Sequence, residues 1–328
     1  MKTYPWRWWR TLCWATLFLS ASLTTYLTSY DVPFVLWFFL FGYVLFNLYI
    51  EAMVALSFIS PSNSKRSFSS DKWGTHSFLF EGISTHCVHF TQPSPSPLIV
   101  ILHGWRSTSA SVAGRAKWFE QRGWNVIIIE LAGHGSSSDV SLWTAIRASE
   151  HVENAVRNLT DVFTDSHVSD VFFYGHSIGG FIATRVSNKP EISPFSANLS
   201  GLILESPMLL YSRIYEEIFA SLRIPSFLRS THLKRCLRVI RQMHPWFIGD
   251  SLDDFDLPQW ASPDHPTLCL QSMNDRRLGR AHYDALVATM DGRGLLTHHL
   301  LESLPHSGAQ TNAEREQHLA VWLKNFNT

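Results

Sequence analysis

Near the middle of the chain stands Val171-Phe172-Phe173-Tyr174-Gly175-His176-Ser177-Ile178-Gly179-Gly180. Its apolar, aromatic first half is typical of a buried parallel strand, and the residues that follow it predict a helix. A serine between two glycines at such a turn fits the nucleophile-elbow pattern Gly-x-Ser-x-Gly. We predict that Ser177 is a nucleophile and that Gly175 and Gly179 relieve the crowding of the turn. A glycine-rich turn with a serine that has no catalytic role would give the same short pattern. The choice between the two depends on whether catalytic partners for the serine occur elsewhere in the chain.

The composition limits the class of protein. The chain has 328 residues, a formal net charge of zero and a pI near 7.3. This length suits one large domain with an appendage, and the neutral balance argues against a nucleic-acid partner. No C-x-x-C spacing connects the cysteines, so neither a disulfide framework nor a metal site is predicted. The cysteines are Cys13, Cys87, Cys236 and Cys269.

Two uncharged stretches precede the main domain, over residues 11–30 and 32–50. Each approaches the roughly 20 residues that cross a bilayer as a helix. We predict a transmembrane hairpin within residues 1–59, followed by a polar linker over residues 60–74. Two alternatives remain open: the first stretch could be a cleaved signal peptide, and the second a buried core helix.

Basic residues flank both ends of this predicted hairpin, whereas Asp31 alone is charged in the turn between its helices. Lys and Arg favour the cytoplasmic side of a membrane. We therefore predict a multi-pass membrane protein whose main domain is cytoplasmic. The flanking basic residues are Lys2, Arg7, Arg10, Lys65, Arg66 and Lys72.

From residue 98 onward, short apolar runs alternate with helical patterns. The runs lie at residues 98–102, 126–129, 171–174 and 202–204. The intervening helices are predicted over residues 109–121 and 142–163. This alternation predicts a mostly parallel sheet with helices on both faces, after an antiparallel hairpin within residues 75–90. The functional residues of such a sheet lie beyond the carboxyl ends of its strands.

The first strand of this series is followed by His103-Gly104-Trp105. The backbone N–H groups of Trp105 and Ile178 are predicted to form an oxyanion hole, in which two donors stabilise a tetrahedral intermediate. His134 lies in the glycine-rich turn after the next strand. We interpret it as structural, because the catalytic base should follow the nucleophile in chain order.

An acid and a histidine follow later strands. Asp275 comes just past a late apolar run and is the predicted acid, which would fix the tautomer of the base. Glu205, at the end of an earlier run, is the competing candidate. His306 lies on a loop before the closing helix and is the predicted general base. The predicted triad is therefore Ser177, Asp275 and His306.

Together these motifs resemble the α/β-hydrolase superfamily, and in particular its branch of monoacylglycerol lipases, lysophospholipases and serine aminopeptidase-type hydrolases. The resemblance covers Ile99 to Thr328 and implies a serine hydrolase that uses no cofactor or metal. Glu130 stands where the family usually has Asp, and we interpret it as structural. The motifs are His103-Gly104-Trp105, Gly133-His134-Gly135-Ser136, Gly175-His176-Ser177-Ile178-Gly179-Gly180, Asn274-Asp275 and Pro305-His306-Ser307.

Residues 208–265 are predicted to form a small helical lid within a hydrolase domain that spans residues 75–328. A predicted lid helix over residues 232–243 carries basic residues around an apolar stripe. This basic face is either simply solvated or directed at anionic lipid headgroups. Its members are Lys234, Arg235, Arg238 and Arg241.

The sequence therefore predicts a membrane-anchored serine hydrolase that cleaves carboxylic esters. Its expected partners are a small acyl ester or lipid substrate and the membrane itself. A peptidase or thioesterase of the same mechanism is the alternative within enzymes. A catalytically silent, hydrolase-like binding protein is the alternative outside them.

Overall fold

The structure, a computed structural model, describes residues 7–28, 34–61 and 66–326. These form two compact units. The first unit contains the described residues up to Ile59 together with Tyr215–Asp250, and the second contains Ser60–Ile214 and the described chain from Ser251 onward. The central part of the predicted lid therefore groups with the N-terminal helices.

Helices build the first unit. They are α1 (Arg7–Thr28), α2 (Phe34–Ser57), most of α6 (Tyr211–Ser221) and α7 (Ser226–Met243). α1 and α2 occupy most of the predicted hairpin stretches, and α2 continues beyond the predicted end at residue 50. Within the described ranges, no helix has both the length and the apolar character needed to cross a membrane. The membrane crossing accordingly stays a prediction.

An eight-stranded sheet forms the second unit, in the order β1-β2-β4-β3-β5-β6-β7-β8. β2 runs antiparallel to both β1 and β4, and the pairs from β4 to β8 are parallel. This confirms the predicted mostly parallel sheet and its leading antiparallel hairpin. The strands are β1 (Gly74–Phe80), β2 (Ile83–Phe90), β3 (Ser96–Leu102), β4 (Asn125–Ile129), β5 (Val168–His176), β6 (Leu199–Glu205), β7 (Thr267–Ser272) and β8 (Leu296–Leu301).

The continuous apolar run of β3 explains its central place in this sheet. Every residue from Leu98 to Leu102 is fully buried. Because successive side chains point to opposite faces of a strand, this burial requires cover on both faces. Ile99 and Ile101 pack in a core cluster with Phe119 and Trp322. The covering helices are α3 (Ser109–Glu120), α4 (Ala145–Arg157), α5 (Ile178–Ser187), α8 (Ala281–Met290) and α9 (Ala313–Leu323).

Two helices of the second unit differ from the sequence prediction. The helix predicted over residues 142–163 covers only Ala145–Arg157. Its start is set by the Thr144 hydroxyl, which caps it by accepting a hydrogen bond from Arg147 N–H. α8 was not predicted. The residues on its buried side, four positions apart, are His282, Leu286 and Met290. Because the first of them is a histidine, the sequence shows too few apolar residues at helical spacing to predict this helix.

Candidate active site

Ser177 forms the turn between β5 and α5. Its backbone has φ 54° and ψ −121°, a positive-φ conformation that residues other than glycine rarely adopt. Its N–H donates to the Glu205 carbonyl at 3.1 Å, and its own carbonyl accepts from the N–H groups of Gly180 and Met208 at 2.9 and 3.0 Å. These bonds to neighbouring segments hold the serine in its strained conformation.

The two glycines of the elbow stand where a side chain has no room. A Cβ on Gly175 would overlap the backbone of Gly180. A Cβ on Gly179 would meet the carbonyl oxygen of Leu102 and would lie 2.7 Å from that of His103. The close approach of α5 to β3 therefore requires glycine, as the sequence pattern indicates.

The predicted oxyanion turn lies directly beside the elbow, because Leu102 of β3 pairs with Gly175 of β5. A Cβ added to Gly104 would be 3.3 Å from the Cβ of Ser177, so the backbone of this turn passes over the serine. Within the described chain, the N–H groups of Trp105 and Ile178 have no hydrogen-bond acceptor. Both are therefore available to a developing oxyanion.

The structure brings the predicted acid and base together. The Nδ1 of His306 lies 2.7 Å from Oδ2 of Asp275. Oδ1 of Asp275 accepts the N–H groups of Arg277 and Leu278, each at 2.9 Å, and Gln271 Nε2 donates to Oδ2 at 3.2 Å. Burial alone would raise the pKa of Asp275, but these hydrogen bonds outweigh it and hold the pKa below its ordinary value. The acid is therefore an oriented carboxylate.

Among the described residues, His306 is hydrogen-bonded to Asp275 but not to Ser177. Its ring centroid lies 5.4 Å from that of His176, which directly precedes the serine. In unliganded sites the bond between nucleophile and base is often long, and it tightens when substrate binds. The base therefore lies next to the elbow, but the hydrogen bond between His306 and Ser177 is not formed.

His176 is a residue of the site that our sequence analysis missed. Its Nε2–H donates to the backbone carbonyl of His306 at 2.6 Å, which ties the loop of the base to β5. Burial lowers the pKa of His176 to about 4, so the ring is neutral near pH 7. The available signal was its place inside the elbow, one residue before the nucleophile.

Two further histidines support the oxyanion turn. His103 is fully buried; its Nε2 accepts the N–H of Leu131 at 3.1 Å, and its Nδ1–H donates to the Gly104 carbonyl at 2.9 Å. His134 donates to the Ala132 carbonyl at 3.1 Å and packs against the Trp105 ring. Burial lowers the pKa of His134 to about 3. These contacts agree with a structural role for His134.

Glu205, the competing acid, is fully buried and has other partners. Arg115 of α3 donates to its carboxylate at 2.8 Å, and Arg315 of α9 lies within 3.4 Å, while the Tyr174 hydroxyl donates to the same group. Burial raises the pKa of Glu205, but the two guanidinium groups prevail and keep it well below its ordinary value. This carboxylate, at the end of β6, joins α3 and α9 through ion pairs and does not orient His306.

Glu130 likewise has structural contacts. Its Oε1 accepts both the N–H and the hydroxyl of Ser109, at 2.9 and 2.6 Å. Its Oε2 accepts the N–H of Ser136 at 2.7 Å and the hydroxyl of Ser67 at 2.8 Å. A side chain on Gly135 would overlap this carboxylate, which explains the glycine next to it.

Removing the buried carboxylate should destabilise the fold. We expect Glu205→Gln to lower the free energy of unfolding by about 3–5 kcal/mol, because two buried guanidinium groups lose their counter-charge. Asp284→Asn is the matched control, since it breaks an exposed ion pair with Arg280 at 3.0 Å and should cost less than about 1 kcal/mol. Chemical denaturation of both variants measures the difference, and equal losses would contradict this account.

The buried neutral histidines predict a loss of stability in acid. Burial lowers the pKa of His282, like that of His176, to about 4 from the ordinary 6.5. The unfolded chain therefore binds more protons below pH 6.5, so stability is complete above that pH and falls towards pH 4. The slope is up to about 1.4 kcal/mol per pH unit for each histidine.

His282 allows a direct check of this slope. Its Nδ1 accepts the N–H groups of Leu209 and Leu210 at 3.0 and 2.9 Å. His282→Asn keeps an acceptor there but removes the titrating group. Denaturation curves between pH 7 and 4 should show a shallower slope for this variant, and an unchanged slope would exclude His282 as a contributor.

The parallel sheet, the strained serine elbow and the order of serine, acid and histidine define an α/β-hydrolase. The sequence model of the family described as serine aminopeptidase, S33, matches residues 93–293. This match covers more than half of the chain, and the chain belongs to that family. The protein is therefore a hydrolase of the α/β-hydrolase superfamily, which confirms the resemblance predicted from its motifs.

Solved structures agree on the fold. An esterase from Pyrococcus furiosus, Pf2001, is similar at 14% identity and a TM-score of 0.59, with 81% of this chain and 99% of the esterase covered. A putative hydrolase from Agrobacterium vitis S4 is 15% identical, with a TM-score of 0.55 and coverage of 76% and 98%. The mouse alpha/beta hydrolase domain-containing protein 10 is 14% identical, with a TM-score of 0.55 and coverage of 77% and 98%. No curated protein sequence matches the chain.

Proposed function

We propose that the protein is a serine hydrolase that cleaves carboxylic esters through an acyl-enzyme. The observation that carries this proposal is the 2.7 Å contact between His306 and Asp275 at the side of the strained Ser177 elbow. A base oriented by a carboxylate, close to a serine on a strained turn and to two unused N–H donors, is the arrangement that acyl transfer needs.

The first half of the reaction forms the acyl-enzyme. The hydroxyl oxygen of Ser177 attacks the acyl carbon while the Nε2 of His306 takes its proton, and Asp275 stabilises the resulting imidazolium. The N–H groups of Trp105 and Ile178 donate to the tetrahedral oxyanion. As the intermediate collapses, His306 returns the proton to the leaving alcohol, and Ser177 keeps the acyl group.

The second half releases the acid. Water attacks the acyl carbon with His306 again accepting a proton, and the same N–H groups stabilise the second oxyanion. Collapse expels the Ser177 oxygen, which recovers its proton from His306. These steps use side chains and backbone of the chain alone, so the proposal includes no cofactor.

A peptidase of the same mechanism is the second candidate, favoured by the description of the matching family. Full-length protein in detergent should be assayed against p-nitrophenyl esters of graded acyl length and against aminoacyl p-nitroanilides, with Ser177→Ala as background. We expect the larger kcat/KM for esters, with a preference for longer, lipid-like acyl groups. A larger kcat/KM for the anilides would make the protein a peptidase, and no turnover above background would favour a silent binding protein.

We further propose that the N-terminal region attaches the protein to a membrane and that the hydrolase unit faces the cytoplasm. Support comes from the basic residues around the hairpin and from its exposed aromatic side chains. Large apolar side chains that are exposed together mark a surface that binds a membrane or another protein. Trp14, Phe18 and Phe39 are examples. A reporter fused after Thr328 should be active in the cytoplasm. Activity on the opposite side would reverse the orientation and favour the signal-peptide alternative.

A further inference from the structure

Helix α2 changes character along its length. In its first half the aromatic side chains of Phe39, Phe41 and Tyr43 are exposed, by 69%, 52% and 64%. In its second half, Ile50 and Val54 are buried on one side, and buried Phe58, just after its last residue, continues the same spacing. The apolar sequence of the predicted span therefore has exposed aromatic side chains in its first half and a packed side in its second half.

The packed segment of α2 carries polar groups that bind the lid helix α7. Nη1 of Arg235 lies 2.6 Å from Oε1 of Glu51, and Nη2 of Arg235 lies 2.7 Å from Oδ1 of Asn47. Asn47 and Glu51 are one helical turn apart, which matches the fork of a guanidinium group. Arg235 therefore joins the two helices, and it is not part of an exposed basic face as the sequence had suggested.

A second contact lies farther along the same pair of helices. Nε2 of the buried His232 is 3.0 Å from the Ser57 hydroxyl, and the Cys236 sulfur lies 3.6 Å from the same nitrogen. Burial lowers the pKa of His232, so this contact is between neutral groups near pH 7. The hairpin and the lid helix are thus parts of one structural unit.

The other side of α7 is basic and open to solvent. Lys234, Arg238 and Arg241 are exposed at positions i, i+4 and i+7, which places them on one face of the helix. The same unit exposes two large apolar side chains just after α7, Trp246 and Ile248. Exposed basic and apolar side chains in one unit match an anionic lipid surface, with charged headgroups above an apolar layer.

We propose that the first unit is a monotopic docking module for an anionic bilayer, with the first half of α2 in one leaflet and the basic face of α7 on the headgroups. This rests on the membrane attachment proposed above and replaces the predicted two-span hairpin. Residues 34–45 of α2 are about 18 Å long, close to half of a hydrocarbon core of about 30 Å. The Glu51–Arg235 pair is costly in hydrocarbon and fixes the headgroup level.

The depth of the hairpin can be tested with the full chain in sealed phosphatidylcholine–phosphatidylserine vesicles. A membrane-impermeant maleimide is supplied outside or trapped inside, and the wild type reports labelling of native cysteines. Ser29→Cys, between α1 and α2, should react from neither side until detergent is added, whereas the control Ser166→Cys, at an exposed position of the hydrolase unit, should react from outside. Reaction of Ser29→Cys from the lumen would show a crossing, and reaction from outside would show no insertion; either result overturns the proposal.

The charge of the surface is tested by flotation of the full chain with vesicles of phosphatidylcholine alone or with phosphatidylserine. The triple change Lys234→Gln, Arg238→Gln and Arg241→Gln should weaken partitioning to the anionic vesicles by about a hundredfold. The control, Arg157→Gln with Arg280→Gln and Arg293→Gln, removes equal charge from the other unit and should have little effect. Equal losses in both variants would overturn the basic-face contact.

Hydrolysis of a soluble short-chain ester is measured on the same preparations. Hydrolysis without docking contradicts the docking proposal alone. Docking without hydrolysis contradicts the proposed enzymatic function alone.

Discussion

Ser177→Ala is expected to lower turnover of a short-chain ester by on the order of 10⁴-fold or more, because the acyl-enzyme cannot form without the hydroxyl oxygen. The fold should persist, since the backbone bonds of the elbow do not use this side chain. Ser187→Ala is the matched control, because Ser187 is a buried serine at the last position of α5 whose hydroxyl donates to the Thr184 carbonyl. It should retain activity.

Steady-state kinetics on both variants, with circular dichroism to check folding, measures this effect. Activity of Ser177→Ala within tenfold of the wild type would remove the nucleophile from the account.

Asp275→Asn is expected to lower turnover by about 10⁴-fold, because an amide at this place no longer holds the required tautomer of His306 or stabilises its imidazolium. The amide oxygen can still accept the N–H groups of Arg277 and Leu278, so the loop should keep its shape. Glu205→Gln is the comparison variant. It should lose stability but keep more activity per folded molecule than Asp275→Asn.

Turnover per folded molecule is measured for both variants at low temperature, where the destabilised Glu205→Gln variant stays folded. This measurement distinguishes loss of catalysis from loss of stability. A larger loss of turnover in folded Glu205→Gln than in Asp275→Asn would make Glu205 the acid.

The elbow was predictable because its determinants are contiguous. The strand, the glycines at 175 and 179 and the helix after Ser177 lie within one short segment, so the motif can be recognised without any distant residue. The positions of Asp275 and His306 followed from a general property of parallel sheets, whose strand ends meet at one edge. Both inferences need only chain order and strand pattern.

Tertiary contacts explain what the sequence did not reveal. The bond from His176 to the His306 carbonyl joins residues that are distant along the chain, and the elbow motif that contains His176 does not reveal this partner. A similar limit applies to α2, where apolar residues dominate the signal. Asn47 and Glu51 are two of the few polar residues in that helix, and their spacing of one turn acquires meaning only when Arg235 is placed opposite them.

The boundaries of the lid were beyond sequence reasoning for a related reason. A helical insertion was predicted over residues 208–265, but the packing that groups residues 215–250 with the N-terminal helices depends on side chains of α2 and α7 that meet in space. Periodicity identifies a buried stripe on α7, and it does not identify the helix that covers the stripe.

The most direct test of the central claim is covalent labelling of the wild-type protein by a fluorophosphonate, which phosphonylates an activated serine hydroxyl. Peptide mass spectrometry then locates the adduct. We expect a single adduct on Ser177, formed rapidly in the wild type and much more slowly in Asp275→Asn, because the base loses its orientation. An unlabelled wild-type protein, or an adduct on another serine, would contradict the central claim.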